Sequence, residues 1–360
     1  MKILYITNGI NGPGGLERVL SVKASYLADQ LGYNVHIAGL NNGNETPFFP
    51  FSSRITFHSI KAGGHPLSYL RQYVKGIKEL VKQTSPDIIA VCDDGLKGFF
   101  IPRLLPSGMP VIYERHVSRL IELNGKERAA GTMITKVKWS LMKRLAKDFD
   151  KFVVLTNGNT NEWPGLNNIA VIPNPLSFMP EVQPNTQSKK VICVGKISYQ
   201  KGQDILLKAW EKVHESHKDW QLHLYGSPDD VFLKIEDGKL NIHHHLPVKD
   251  IETKYRESAL YVLPSRFEGF GMVLIEAMAT GLPCVAFDCN YGPSDIIKDQ
   301  HEGMLVPVGN VMQLAEAINR LIESETLRVS MGHAAQKSVM RYTPERIMAC
   351  WDELFKSLTR

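Results

Sequence analysis

The sequence predicts an α/β protein made of two parallel-sheet domains in succession, and three features carry that expectation. Short apolar runs of strand length alternate with longer helical stretches through most of the 360 residues, the pattern of a parallel sheet covered by helices on both faces. The first strand of each half runs directly into a loop containing glycine, Asn8-Gly-Ile-Asn-Gly-Pro-Gly-Gly15 in one and Gly195-Lys-Ile-Ser-Tyr-Gln-Lys-Gly202 in the other. Between the halves, Ile172-Pro-Asn-Pro175 through Asn185-Thr-Gln-Ser188 is rich in proline and polar residues and has no periodicity, which reads as a linker.

In the first half, strands are read at Lys2-Thr7, Asn34-Gly39, Asp87-Cys92, Val111-Glu114 and Lys151-Thr156, with helices at Leu16-Gln30 and Leu67-Thr84. In the second half, Lys190-Val194, Gln221-Tyr225, Ala259-Leu263 and Pro283-Phe287 take the strand role, and helices begin near Gln203, Val248, Gly271, Ser294 and Val311. Ser294 is read as an N-cap. Thr343 and Pro344 open a terminal helix, since proline suits the first helical position. The division expected is 1–180, 181–340 and 341–360. A content of 43% hydrophobic and 22% charged residues suits two ordinary cores. Cys92, Cys193, Cys284, Cys289 and Cys350 form an odd set with no CxxC pair, so they read as small apolar residues in a reducing compartment. The opening strand is too short for a signal segment, and no run reaches the roughly 18 apolar residues of a membrane span, so a cytoplasmic protein is expected.

Open parallel sheets bind ligands at the C-terminal ends of their strands, so the chemistry is sought in those loops. The most informative is Glu268-Gly-Phe-Gly-Met-Val-Leu-Ile-Glu276, which sets two carboxylates across a glycine turn that enters an apolar helix ending at Gly281-Leu-Pro283. The first free N–H groups of that helix fall around Gly271, Met272 and Val273, where an anion such as a diphosphate is stabilised. Glu276, one turn in, is placed to accept two hydrogen bonds from a ribose cis-diol, and Glu268 to hold sugar hydroxyls. A pair of acids at a helix start also arises simply because the helix dipole favours it. In the first glycine loop, Gly14 and Gly15 let backbone amides approach a phosphate with no Cβ between them. That loop is not a GxGxxG in register, which argues against a dinucleotide. Lys196 and Lys201 put two cations on the loop after Val194, although loop lysines are commonly just solvated.

Two motifs suggest a metal and are set aside. Asp148-Phe-Asp150 is a D-x-D, but it ends a lysine-rich helix and precedes a strand instead of following one. His243-His-His245 cannot turn three consecutive imidazoles toward one ion, and the segment is read as a loop after the strand Gln221-Tyr225.

Taken together, these segments resemble the retaining family-four glycosyltransferases. Pro264-Ser-Arg-Phe-Glu268-Gly-Phe-Gly271 followed by Glu276 is similar to the E-x7-E signature, and Gly14-Gly-Leu-Glu-Arg-Val19, Val194-Gly-Lys196, Lys201-Gly202, Tyr291-Gly-Pro-Ser-Asp-Ile-Ile297 and Gly303-Met-Leu-Val-Pro307 follow in matching order. The resemblance implies the GT-B architecture, two Rossmann-like domains with parallel sheets facing across a cleft. Residues 1–180 would hold the acceptor, 181–340 the nucleotide sugar, and the helix of 341–360 would cross back to the first domain. It implies donor contacts at Gly14, Gly15, Gly269, Phe270, Gly271, Met272, Val273 and Glu276, with Leu246-Pro247 against the nucleobase. Lys196 and Lys201 would neutralise the leaving diphosphate, so no metal or other cofactor is expected. The family commonly has arginine where Lys196 stands, and lysine lacks the bidentate fork. His116, after Val111-Glu114, is the candidate beside the anomeric carbon. The counterpart of Asp295 is usually glutamate. Retention implies front-face attack in which the departing phosphate takes the acceptor proton; Glu268 then positions donor hydroxyls. The substrates implied are a nucleotide diphosphate sugar, UDP-linked, carrying a hexose or N-acetylhexosamine, and a saccharide or polyprenyl-diphosphate-linked acceptor. A sugar-nucleotide epimerase and a silent donor-binding homologue are the alternatives.

The net charge of +5 points to an anionic partner. Residues 134–147 place apolar side chains at 134, 137, 141 and 145 among five lysines and arginines, which fits either a peripheral contact with an anionic membrane or a core-facing helix with a wet basic face. No basic cluster with aromatic platforms appears, so nucleic acid is not expected.

Overall fold

The computed structural model describes residues 1–43, 46–93, 95–120, 133–179, 187–229 and 231–359, with the side chain of Ile134 excepted. It contains two compact units. Among the described residues, one is built from those of 1–117, 133–177 and 344–359, the other from those of 118–120 and 178–343. The boundary expected near residue 180 lies outside the described residues.

The first unit runs β1 (Lys2–Thr7), α1 (Gly15–Asp29), β2 (Asn34–Leu40), β3 (Thr56–Ile60), α2 (Pro66–Thr84), β4 (Ile88–Cys92), β5 (Val111–Glu114), α3 (Met133–Leu145), β6 (Lys151–Val154) and β7 (Ile169–Val171). All neighbours pair in parallel, in the order β3-β2-β1-β4-β5-β6-β7. The central strands β1 and β4 are buried almost end to end, which is why they read as unbroken apolar runs. One face is filled by an aromatic cluster of Phe99, Tyr113, Phe152 and Trp163, and α2 packs Tyr73, Ile77, Leu80 and Val81 over the same side.

The second unit runs β8 (Lys190–Val194), α4 (Gln203–Ser216), β9 (Gln221–Tyr225), β10 (Ile242–His245), α5 (Ile251–Arg256), β11 (Leu260–Leu263), α6 (Met272–Ala279), β12 (Cys284–Phe287), α7 (Pro293–Ile296), β13 (Gly303–Val306), α8 (Val311–Glu323) and α9 (Glu325–Val339). Its sheet is again wholly parallel, in the order β10-β9-β8-β11-β12-β13. In α4, Leu206, Ala209, Trp210 and Val213 recur at helical spacing and are buried, and the Trp210 indole donates to the Leu240 carbonyl at 2.9 Å. The last helix, α10 (Pro344–Leu358), belongs to the first unit and packs against α1 through Ile347, Met348, Trp351 and Phe355.

Both sheets start at a central strand, grow outward one way, then return to the centre and grow the other way. The reversal lies between β1 and β4 in one unit and between β8 and β11 in the other. Loops at such a reversal diverge at the strand ends and leave a crevice for a ligand.

Three expectations need correction. His243–His245 is not a loop but strand β10; its imidazoles stand on the sheet, and Leu246-Pro247 follow it. Ser294 does not cap α7, because Gly292 occupies the N-cap and Pro293 the first turn. In α3 the apolar side chains do not share one buried face: Val137 is 59% exposed, whereas Met142 and Leu145 are buried. Met142, Leu145, Phe149 and Trp163 belong to one buried cluster, with Trp139 packed against it and its ring 5.7 Å from that of Trp163, and Val137 is not part of it.

Candidate functional site

The second unit assembles its candidate site at the reversal between β8 and β11. The loop after β8 is set by three residues that need special backbone or burial. Gly195 leaves the strand at φ 149°. Gln203, fully buried at the start of α4, donates to the carbonyls of Gly195 at 3.3 Å and Lys196 at 3.2 Å and accepts from the Ser198 amide at 3.3 Å. Gly202 caps α4 at φ 68°, and a Cβ there would lie 2.0 Å from the Pro264 carbonyl oxygen. The loop after β8 therefore lies directly on the loop after β11.

Side chains fasten the two loops together. Arg266 grips Asp204 with both prongs of its guanidinium, at 2.8 and 2.7 Å, and stacks 4.0 Å from the centre of the Tyr199 ring. Such a bidentate pair fixes direction as well as distance. Gln200 donates to the Phe267 carbonyl at 3.2 Å. Lys201 then reaches both oxygens of Glu268, at 2.7 and 3.0 Å, while the Ser265 hydroxyl donates to the same carboxylate at 2.6 Å. Glu268 is buried and Lys201 keeps 22% of its side chain exposed, so the ammonium is the member of the pair that faces incoming solute. Cys193 below them is an inert thiol, pushed up to about 12 by burial.

Gly271, at φ 104°, ends the second loop and caps α6. Gly269 is partly exposed in that turn, Phe270 is buried edge-on against Tyr342, and Met272 and Val273 form the half-buried first turn of the helix. Glu276 follows one turn later, buried, 3.3 Å from the Tyr255 hydroxyl. The loop after β12 supports this turn from behind: a Cβ on Gly292 would lie 2.1 Å from the Phe270 carbonyl oxygen. Lys196 is exposed at the mouth of its loop, and Leu246 and Pro247 stand at the end of β10 on the same edge of the sheet. An anion resting here meets helix N–H groups and one ammonium, with a carboxylate held close by for hydroxyl groups.

In the first unit, Gly14 is the N-cap of α1 and Gly15 its first residue. Around Gly15 a Cβ would meet nothing within 4 Å, so the protein's own packing does not require glycine there. His116 follows β5, two strands from β1 on the same sheet edge, and its Nε2 lies 3.1 Å from Glu114. Sequence reasoning missed the neighbours that shape this edge. Asp93, buried after β4, accepts from Gly95 at 2.7 Å and Asn8 at 2.9 Å and pairs with Lys97 at 3.2 Å. Lys23 of α1 is buried against Glu114 at 2.5 Å. A lysine on the apolar stripe Val19, Leu20, Ala24, Leu27, Ala28 was the available signal.

The carboxylates of the D-x-D are occupied by structure: Asp148 pairs with Arg103 at 2.6 Å and Asp150 accepts from the Val111 amide at 2.8 Å. Of the three histidines, His243 and His245 share one face with His223 of β9, whose Nδ1 lies 3.0 Å from His245. His244 turns to the other face and lies 3.0 Å from the Gly226 carbonyl.

Residues 13–177 match the family model described as Glycosyltransferase Family 4, and residues 177–338 match the one described as Glycosyl transferases group 1. The amylovoran biosynthesis glycosyltransferase AmsD of Erwinia amylovora is 30% identical over 98% of this chain and 99% of its own. A Haemophilus influenzae protein named an uncharacterized glycosyltransferase is 29% identical over 97% of this chain and 98% of its own. Among solved structures, Anabaena HepE in complex with UDP and glucose has a TM-score of 0.77 at 18% identity, covering 99% of this chain and 100% of its own.

Proposed function

This chain belongs to the group 1, family 4 glycosyltransferases, and from that premise we propose that it moves a hexose or N-acetylhexosamine from a UDP-linked donor to a saccharide or polyprenyl-diphosphate-linked saccharide, with retention of anomeric configuration. The observation that carries this reading is the Lys201–Glu268 pair, clamped between two loops at the reversal of the second sheet and followed at once by the N-terminus of α6. As the glycosidic C–O bond breaks, negative charge gathers on the diphosphate. A fixed ammonium and amide dipoles stabilise that charge with little reorganisation. Glu268, bound by Lys201 and Ser265, keeps its carboxylate in place for hydroxyls of the transferred sugar, and Glu276 takes the ribose. The leaving phosphate accepts the acceptor's proton. HepE, solved with UDP and glucose, supports the choice of nucleotide, and the role named for AmsD supports a saccharide acceptor.

No divalent ion enters this reading, so EDTA should leave the transfer rate unchanged. Lys201→Ala should lower kcat about a hundredfold, and Glu276→Ala should raise the donor KM. Release of UDP from a panel of UDP-sugars, with and without saccharide acceptors, measures all three. A Lys201→Ala/Glu276→Ala variant that transfers sugar like the wild type would refute the site, and conversion of a UDP-sugar into its isomer without acceptor would select an epimerase.

Among the described residues no helix is long and apolar enough to cross a membrane. Contact with an anionic bilayer is proposed through α3, whose exposed Met133 and Val137 stand one turn apart on the same helix as exposed Lys136 and Arg144, with Lys147 just beyond its end.

A further inference from the structure

We propose that Lys23 and Glu114 are positioning residues that hold His116 in the tautomer protonated at Nε2, leaving Nδ1 as a bare acceptor for a sugar hydroxyl. The inference rests on the reading that this chain handles sugars, and it adds how the histidine of the first unit is set for that task.

The starting point is a lysine where none is expected. Lys23 lies on the core-facing stripe of α1 with 1% of its side chain exposed, and a buried ammonium persists only when it is paired. Its Nζ is 2.5 Å from Glu114 Oε2 and stands 3.5 Å from the centre of the Trp351 ring of α10, with the Tyr5 ring at 5.8 Å on another side. The ammonium is thus enclosed by a carboxylate and two aromatic faces. Glu114, the last residue of β5, is 2% exposed. Burial pushes its pKa up, but Lys23 and the bond to His116 pull it down to about 2, so the carboxylate offers acceptors only.

His116 Nε2 lies 3.1 Å from the same oxygen that Lys23 holds. In the neutral ring, an acceptor there requires the proton to sit on Nε2. Nδ1 then carries the lone pair. That Nδ1 is buried and has no hydrogen-bond partner among the described residues, and neither has Glu114 Oε1. Buried polar atoms are seldom left so, and each such case asks for a partner from outside. A bare imidazole nitrogen is satisfied by an O–H or N–H donor, and a sugar substrate brings hydroxyls. The residue stands at the C-terminal end of a strand in an open parallel sheet, the edge where ligands bind.

Metal binding is the competing account, since ligand atoms of Cys92, Glu114 and His116 lie within 4.8 Å of one another. Lys23 already supplies the positive charge that the carboxylate faces.

The test is the 15N spectrum of the histidine ring nitrogens in the full-length protein at pH 8, with His116 identified by its loss in His116→Gln. The expected wild-type signature is a single tautomer protonated at Nε2. A proton on Nδ1, or a tautomer mixture, overturns the proposal whether or not any variant folds, as does a stoichiometric response of the His116 nitrogens to Zn2+. Lys23→Met/Glu114→Met removes both charges together. It should relax the signature to a mixture and lower transfer kcat about tenfold to a hundredfold while the donor KM moves less than about twofold. Retention of both the wild-type spectrum and the wild-type kcat in that variant would leave the pair purely structural and overturn the assignment. Failure of the wild type to transfer any sugar would refute the transferase reading, while the spectrum still decides the tautomer.

Discussion

Gly15 and Gly202 both stand at the start of the helix that follows the first strand of a unit, yet their surroundings are opposite. Gly202 has φ 68° and no room for a Cβ beside the Pro264 carbonyl, so Gly202→Ala should cost at least about 2 kcal/mol in chemical denaturation. Gly15 has open space around it. Gly15→Val should leave the stability within about 1 kcal/mol but weaken UDP-sugar binding at least about tenfold by calorimetry; unchanged binding would remove Gly15 from the donor site. The sequence allowed the two acids and two lysines to be picked out, because residue type at a strand end is local information. It did not show that Lys201 is bound to Glu268 or that Arg266 grips Asp204. Those partners lie 67 and 62 residues apart, and nothing in spacing records which of many cations meets which acid. Lys23 was more accessible, since a charge on an apolar helical stripe is an anomaly visible in the letters alone.

The strands that sequence reading found, and those it missed, divide by position in the sheet. Every interior strand was recognisable as an apolar run. The four missed ones, β3, β7, β10 and β13, are the four sheet edges. An edge strand has a neighbour on one side only and is short or partly wetted, as in Thr56–Ile60 and Ile242–His245, so the signal of continuous burial fades. These edges also hold paired histidines: His36 lies 2.9 Å from His58 across β2 and β3, and His223 3.0 Å from His245 across β9 and β10. Burial lowers the pKa of all four, that of His223 to about 4. Because each is lower in the folded than in the unfolded chain, the unfolded chain binds more protons in between. Stability should therefore be full above about pH 6.5 and decline as pH falls toward 4. Thermal unfolding between pH 7.5 and 4.5 would show this, and His223→Gln should flatten the slope.

That each half is a parallel sheet built of βα repeats was legible as grammar, because right-handed crossovers leave few alternatives; the reversal beside the first strand of each sheet, and the seventh strand that the first sheet alone carries, are findings of the structure. The aromatic lid that α10 places over Lys23 was not legible, since 328 positions separate Lys23 from Trp351 and only packing joins them. Trp351→Leu should destabilise the first unit by about 3 kcal/mol, through lost burial and a lost cation–π contact. Hydrogen exchange should then rise in peptides covering Lys2–Thr7 but not in those covering Lys190–Val194; equal rises in both would contradict that assignment. The route of α10 has a further consequence during synthesis. The unit whose strands are translated first is completed last, because its closing helix is translated only after the whole of the other unit. Until then the inner side of α1 is bare, the kind of surface that chaperones hold.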